Sequence, residues 1–145
     1  KYVGDEPFML TYGDGVSDVN LNDLLAFHKK NKRTVTMTAI QPGSRFGVLD
    51  FNEDGAGVDK FAEKPHEDGA WINAGFMVAE PEIFQYLRDE DELVFEKEVM
   101  NKLAEDGRLA AYKHTGFWQC MDTMRDKGML EKLWNTGNAP WKRWE

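Results

Sequence analysis

Phe8 to Tyr12 is a short apolar run that stops at Gly13-Asp14-Gly15. Its length, its aromatics and the glycine stop predict a buried strand rather than a helix. Leu24, Leu25, Phe27 and His28 then recur at helical spacing. Asn20 or Asn22 can cap that helix, because the side-chain oxygen satisfies a free backbone N–H. Lys29, Lys30, Lys32 and Arg33 lie at its end, where cations favour the helix dipole. Thr34 to Ile40 alternates β-branched residues with Met and Ala and reads as a second strand. Strand, helix and strand in that order predict a βαβ unit, hence a parallel pair.

Gln41-Pro42-Gly43-Ser44 breaks this pattern. Phe46 to Phe51 and Val58 to Glu63 are strand-like segments around Asn52-Glu53-Asp54-Gly55, a hairpin-like connection rich in turn formers. Trp71 to Ala79 reads as a further strand, and Pro81-Glu82 suits the first turn of a helix. A helix from Val94 to Glu105 ends at Gly107, and Leu109 to Tyr112 and Phe117 to Met121 are short strands. Asp122-Thr123 opens a last helix carrying Met124, Met129, Leu130, Leu133 and Trp134. With no internal repeat, linker or low-complexity stretch, residues 1–145 read as one α/β domain with a mixed sheet.

Composition narrows the function classes. The chain has 145 residues, 41% apolar and 30% charged, which suits a globular core and argues against disorder. Acidic groups outnumber basic ones 26 to 18, a net charge of −8, so a nucleic-acid backbone is not the expected partner. A small phosphorylated ligand held by one or two local cations remains compatible with that charge. No apolar run approaches the roughly 20 residues of a membrane span, and Lys1-Tyr2-Val3-Gly4-Asp5 does not read as a signal peptide. The expectation is a soluble, cytoplasmic protein with no membrane partner. Cys120 is the single cysteine, so neither an internal disulfide nor a cysteine zinc site is expected.

Three residues stand where chemistry is commonly placed. Asp14 lies between two glycines just past a buried strand, and ligands in open α/β sheets bind outside the carboxyl ends of strands. Its carboxylate is a hard oxygen donor suited to Mg²⁺, or simply a turn aspartate bonded to its own loop. Lys64, in Glu63-Lys64-Pro65, is a compact charge suited to a phosphate, or an exposed lysine paired with Glu63 or Glu67. Asp122 is either a second metal ligand or the N-cap of the last helix. His28, His66 and His114 share no metal-site spacing, and Cys120 lacks an evident local base, which favours a packed thiol. The acidic run Asp89 to Glu92 reads as a solvated loop, and the C-terminal tryptophans as a core or subunit contact or a carbohydrate platform.

The order of these pieces is what is recognisable. Leu10-Thr11-Tyr12-Gly13-Asp14-Gly15-Val16-Ser17-Asp18, Arg45-Phe46-Gly47, Glu63-Lys64-Pro65, Trp71-Ile72-Asn73-Ala74-Gly75-Phe76 and Gly116-Phe117-Trp118-Gln119-Cys120-Met121-Asp122-Thr123 follow one another along the chain. In this order they resemble the C-terminal part of the sugar-phosphate nucleotidyltransferase family, and its glucose-1-phosphate cytidylyltransferase branch in particular. The resemblance implies a Rossmann-like fold with a mixed, mostly parallel sheet flanked by helices. It also implies an activity: CTP and glucose 1-phosphate give CDP-glucose and pyrophosphate, with Mg²⁺.

By that resemblance, Asp14 and Asp122 hold Mg²⁺, Lys64 binds the sugar phosphate, and Glu63 binds sugar hydroxyls. Gly47 and Asn73 help fix the hexose, and Trp118 shapes the site beside Asp122. Family members begin with a strand and a glycine-rich Gly-Thr-Arg loop that cradles the triphosphate, and nothing in this chain matches that half. The chain is therefore expected to be the sugar-phosphate half, inactive alone, able to use CTP only if another chain completes it. An unpaired sheet edge left in this way favours a homo-oligomer.

Overall fold

The computed structural model describes residues 3–41, 48–51, 55–62, 70–88 and 92–144. The central element is β3 (Val35–Ile40), a strand buried at every position. Its sequence, Val-Thr-Met-Thr-Ala-Ile, alternates apolar and hydroxyl side chains, and the two sets go to opposite faces. Val35, Met37 and Ala39 join the main core with Met100, Leu103 and Ala104 of helix α2 (Met100–Glu105). On the other face Thr36 meets His28 of helix α1 (Leu21–Asn31), with His28 Nδ1 at 2.7 Å from Thr36 Oγ1. The Thr38 hydroxyl donates to the Phe76 carbonyl at 2.8 Å. Helices thus flank a mixed sheet.

Strand β1 (Phe8–Leu10) forms as expected, and Asn20 is the cap of α1: its side-chain oxygen accepts from the N–H groups of Asn22 and Asp23. The expected parallel pair of β1 with β3 is not made, however. Strand β7 (Met77–Ala79) lies between them, antiparallel to both, so β1 and β3 point the same way without touching. Among the described residues the sheet is mixed but not mostly parallel: β3 pairs in parallel with β8 (Leu109–Lys113) alone. The βαβ reading failed because a strand arriving much later in the chain took the position beside β3.

The segment from Trp71 to Ala79 is two short strands rather than one. Strand β6 (Ile72–Asn73) and β7 both pair with β3, but Asn73 opposes Ala39 while Val78 opposes Thr36, five residues against three. The excess is taken up at Ala74-Gly75-Phe76, where Gly75 has φ +73° and Phe76 φ +44°. The expected hairpin is present as β4 (Val48–Phe51) against β5 (Val58–Ala62), joined to the main sheet by a bridge from Gly57 to Ala110. The helix expected from Val94 begins instead as a π-turn, Phe95–Val99, before α2. Pro81 opens a 3₁₀ turn, Pro81–Gln85.

Strands β2 (Gly15–Ser17) and β9 (Trp118–Cys120) form a separate antiparallel ribbon. Helix α3 (Met124–Asn135) follows, and its cap is Thr123, not Asp122. Thr123 Oγ1 accepts from the Asp126 N–H at 3.2 Å, and the Asp126 carboxylate accepts from the Thr123 N–H at 3.0 Å. This reciprocal arrangement satisfies the cap. Among the described residues no helix is long and apolar enough to cross a membrane.

Leu103 is fully buried in the main core. Leu103→Ala should destabilise the fold by about 2–5 kcal/mol, the cost of lost burial plus a cavity. The urea midpoint measures it; a loss below about 1 kcal/mol would show that α2 is not packed as described.

Candidate functional site

Two short connections assemble the site. A turn at Gly13-Asp14 leads into β2, which pairs with β9, Gly15 opposite Cys120 and Ser17 opposite Trp118. The ladder continues one step beyond the ribbon, where the Met121 N–H donates to the Asp14 carbonyl at 2.8 Å. Asp14 and the residue adjoining Asp122 therefore share one backbone rung, although they are far apart in sequence. Both carboxylate residues are exposed. Because Thr123 caps α3, Asp122 is not spent on the helix.

Cys120 adds a local contact. Its thiol donates to Asp122 Oδ2 at 3.3 Å and is itself buried. Burial, reinforced by the hydrogen bond to Asp122, pushes the thiol up to about 11. The thiol stays protonated and serves as a weak donor to the carboxylate, as its reading as a packed thiol implies.

Trp118 joins the ribbon to the sheet. Its indole N–H donates to the Ala74 carbonyl at 2.9 Å, beside Asn73. Asn73 is tied at both ends: Nδ2 donates to the Tyr12 hydroxyl at 3.0 Å, and Oδ1 accepts from the Gly75 N–H at 3.0 Å. Tyr12 in turn donates to Glu96 Oε1 at 2.9 Å. Burial first, then the Glu96 hydrogen bond and charge, raise the Tyr12 phenol above its ordinary value, and the Asp14 carboxylate adds to this. Gly75 is required where it stands: a Cβ there would lie 3.0 Å from Tyr12 Cδ2 and 3.2 Å from Thr11 Oγ1, on a backbone with φ +73°.

The start of β9 is held by a second clasp. The Asp18 carboxylate accepts from the Phe117 N–H at 2.7 Å and lies 2.9 Å from His114 Nε2. Trp141 stacks on Phe117 with ring centroids 5.3 Å apart, so one C-terminal tryptophan packs under the ribbon. Trp134 and Trp144 form an exposed, tilted pair.

Among the sequence-predicted residues, then, Asp14 shares a backbone rung with Met121, next to Asp122, and Trp118 donates to the Ala74 carbonyl, next to Asn73. Gly47, Glu63, Lys64, His66 and Asp89 to Asp91 lie outside the described residues. Glu63 directly follows β5, and the β4–β5 hairpin packs against β6, the strand of Asn73. Tyr12, Glu96, Asp18 and His114 were not singled out as site residues. Tyr12 and Asp18 stand inside the Tyr-Gly-Asp-Gly block, which was their available signal. Glu96 had none, since it arrives from an unrelated helical segment.

Asp14 and Asp122 are two exposed carboxylates just beyond the ends of the paired β2 and β9 segments. Among the described residues no three metal-ligating side chains cluster. Few carboxylates suit Mg²⁺, which keeps several waters and takes phosphate oxygens as further ligands.

Comparison with known proteins identifies the family. The family described as Nucleotidyl transferase matches residues 1–139. Glucose-1-phosphate cytidylyltransferase of Salmonella typhimurium is 49% identical over 142 residues, covering 97% of this chain and 54% of that protein. The beta catalytic subunit of mannose-1-phosphate guanylyltransferase from Dictyostelium discoideum is 34% identical over 131 residues, 88% of this chain and 36% of that protein. The chain spans about half the length of the first of these. The crystal structure of HddC from Yersinia pseudotuberculosis superimposes with a TM-score of 0.72 over 88% of this chain and 55% of that one, at 19% identity, a likeness of fold.

Cys120 gives a direct check. A thiol moved from about 9 to about 11 has about a hundredfold less thiolate at pH 8. Iodoacetamide should therefore label the native chain at least about a hundredfold more slowly than the urea-unfolded chain. Equal rates would overturn both the burial and the Asp122 contact. The sign for stability follows: the contribution is complete below about pH 9 and is lost as pH rises toward about 11.

Proposed function

The chain belongs to the nucleotidyl transferase family, and from that membership we propose that it is the sugar-phosphate-binding portion of a glucose-1-phosphate cytidylyltransferase. The observation that supports the reading is the ribbon rung joining Asp14 to Met121, which brings the Asp14 backbone to the residue before Asp122. The 49% identity to the Salmonella typhimurium enzyme supports the cytidylyl branch.

In this reading an oxygen of the glucose 1-phosphate attacks the α-phosphorus of CTP. A new P–O bond forms, the α–β bridging P–O bond breaks, and pyrophosphate leaves. The nucleophile is already an anion, so no general base is needed, and catalysis is positioning plus neutralised charge. Asp14 and Asp122 would hold Mg²⁺, which supplies positive charge to the phosphates. Lys64 binds the sugar phosphate, Glu63 and Asn73 with the Gly47 backbone bind the hexose, and Trp118 forms the wall beside Asp122. Tyr12 orients Asn73 by occupying its Nδ2. The half of the relatives that this chain does not span supplies the triphosphate cradle, so the chain alone is a binding unit.

A second reading, self-association, is favoured by β1. Among the described residues it lies at one end of the sheet order, with Met9 46% exposed and an apolar depression of about 190 Å³ beside it, lined by Leu10, Leu21, Leu24 and Phe76. An open edge of this kind pairs readily with a second copy. Sedimentation of a compact monomer at high concentration would remove this reading.

Calorimetry with glucose 1-phosphate and Mg²⁺ tests the main reading. Saturable heat is expected, weakened about tenfold by Lys64→Ala through loss of a charge-assisted bond. Asp14→Asn or Asp122→Asn should abolish the Mg²⁺ dependence of that heat. A flat titration at millimolar ligand would reject the proposal. With CTP present, no pyrophosphate release above buffer is expected from the chain alone.

A further inference from the structure

The end of the sheet remote from Asn73 carries a different chemistry. An open depression of about 320 Å³ forms where α1 ends and where β3 and β8 begin. Lys29 and Lys32 reach it from the end of α1, Arg33 from the turn into β3, and Arg108 from the residue before β8. Two carboxylates, Glu80 and Glu82, stand against these four cations. The local balance is positive in a chain whose net charge is −8.

Much of the negative charge there is already engaged. Glu80 Oε1 lies 3.0 Å from His28 Nε2, and His28 is 1% exposed and held from behind by Thr36. The floor of the depression is therefore rigid. The Arg33 guanidinium donates to the Gly107 carbonyl, which fixes its position. Among the described residues the side chains of Lys29, Lys32 and Arg108 form no ion pair. A helix dipole accounts for Lys29 and Lys32 at the end of α1. It does not account for Arg108, which arrives on another element.

The structure assigns this depression, we propose, to a polyphosphate group, the chemistry shared by inorganic pyrophosphate and nucleoside di- and triphosphates. Cations converging from three elements on one concave site match a multiply charged, extended anion better than a single carboxylate. The site is distinct from the one built on Asp14 and Asp122. Asn73 pairs with Ala39 at the far end of β3, and Thr34 lines the depression just before β3 begins. At about 3.3 Å per residue, the six residues of β3 set the two about 17 Å apart.

Titration of the 145-residue chain with pyrophosphate, without Mg²⁺ and at low ionic strength, tests the assignment. Saturable heat is expected, weakened about tenfold or more by Lys32→Ala with Arg108→Ala, and weakened by added salt. Lys64→Ala should change it less than about twofold, which separates this site from the sugar-phosphate site. Circular dichroism checks the fold of the double variant, and the single Lys32→Gln variant should show the same direction of change if that fold is lost. CTP binding equal to pyrophosphate would mean that the polyphosphate alone is read; tighter CTP binding would mean that the nucleoside adds contacts. No saturable heat, heat indifferent to the Lys32 and Arg108 changes, or heat lost with Lys64→Ala would each overturn the proposal.

Discussion

The structure depends on burying β3 on both faces at once. A strand with no exposed position must satisfy every polar group it carries, since an unpaired buried hydroxyl costs about 1–3 kcal/mol. Val35, Met37 and Ala39 meet this by packing on α2 and its neighbours. Thr36 and Thr38 meet it through His28 and the Phe76 carbonyl. Among the described residues no buried side-chain oxygen or nitrogen lacks a partner. Replacing either threonine by a larger or unpaired group would disturb α1 or the Gly75 bulge, so the strand's two faces hold the helix and the site in register.

Both ends of β3 then acquire a chemical character from what meets there. At its carboxyl end, Ala39 pairs with Asn73, and Trp118 ties the β2–β9 ribbon to the Ala74 carbonyl. Asp14 and Asp122, both exposed, stand just beyond the strands of that ribbon. At the amino end, α1 and β8 deliver lysines and arginines around Glu80 and His28. Among the described residues an acidic chain thus retains a cationic concavity at the amino end of β3.

Polar contacts in the site are largely intramolecular. Tyr12 joins Asn73 to Glu96, Asp18 joins His114 to the Phe117 N–H, and Cys120 donates to Asp122. Such chains fix side-chain orientation before any ligand arrives, which limits the ordering cost of binding. The exposed carboxylates of Asp14 and Asp122 are left facing solvent within this rigid frame.

Much of the architecture was legible in the residues themselves. The glycine stop after Tyr12, the Asn20 cap, the alternation in β3 and the turn-rich link between β4 and β5 are local signals, because each acts through neighbouring backbone. Which strand lies beside which is set by competition among distant segments for the same hydrogen-bonding edge. That competition inserted β7 between β1 and β3 and split the Trp71 to Ala79 run at Gly75, whereas the α3 cap at Thr123 is a local box closed with Asp126. The order of motifs named Asp14 and Asp122 as candidates. Only the β2–β9 pairing brought the Asp14 backbone onto Met121, next to Asp122, since a rung between residues so far apart in the chain exists only once both strands have folded onto it.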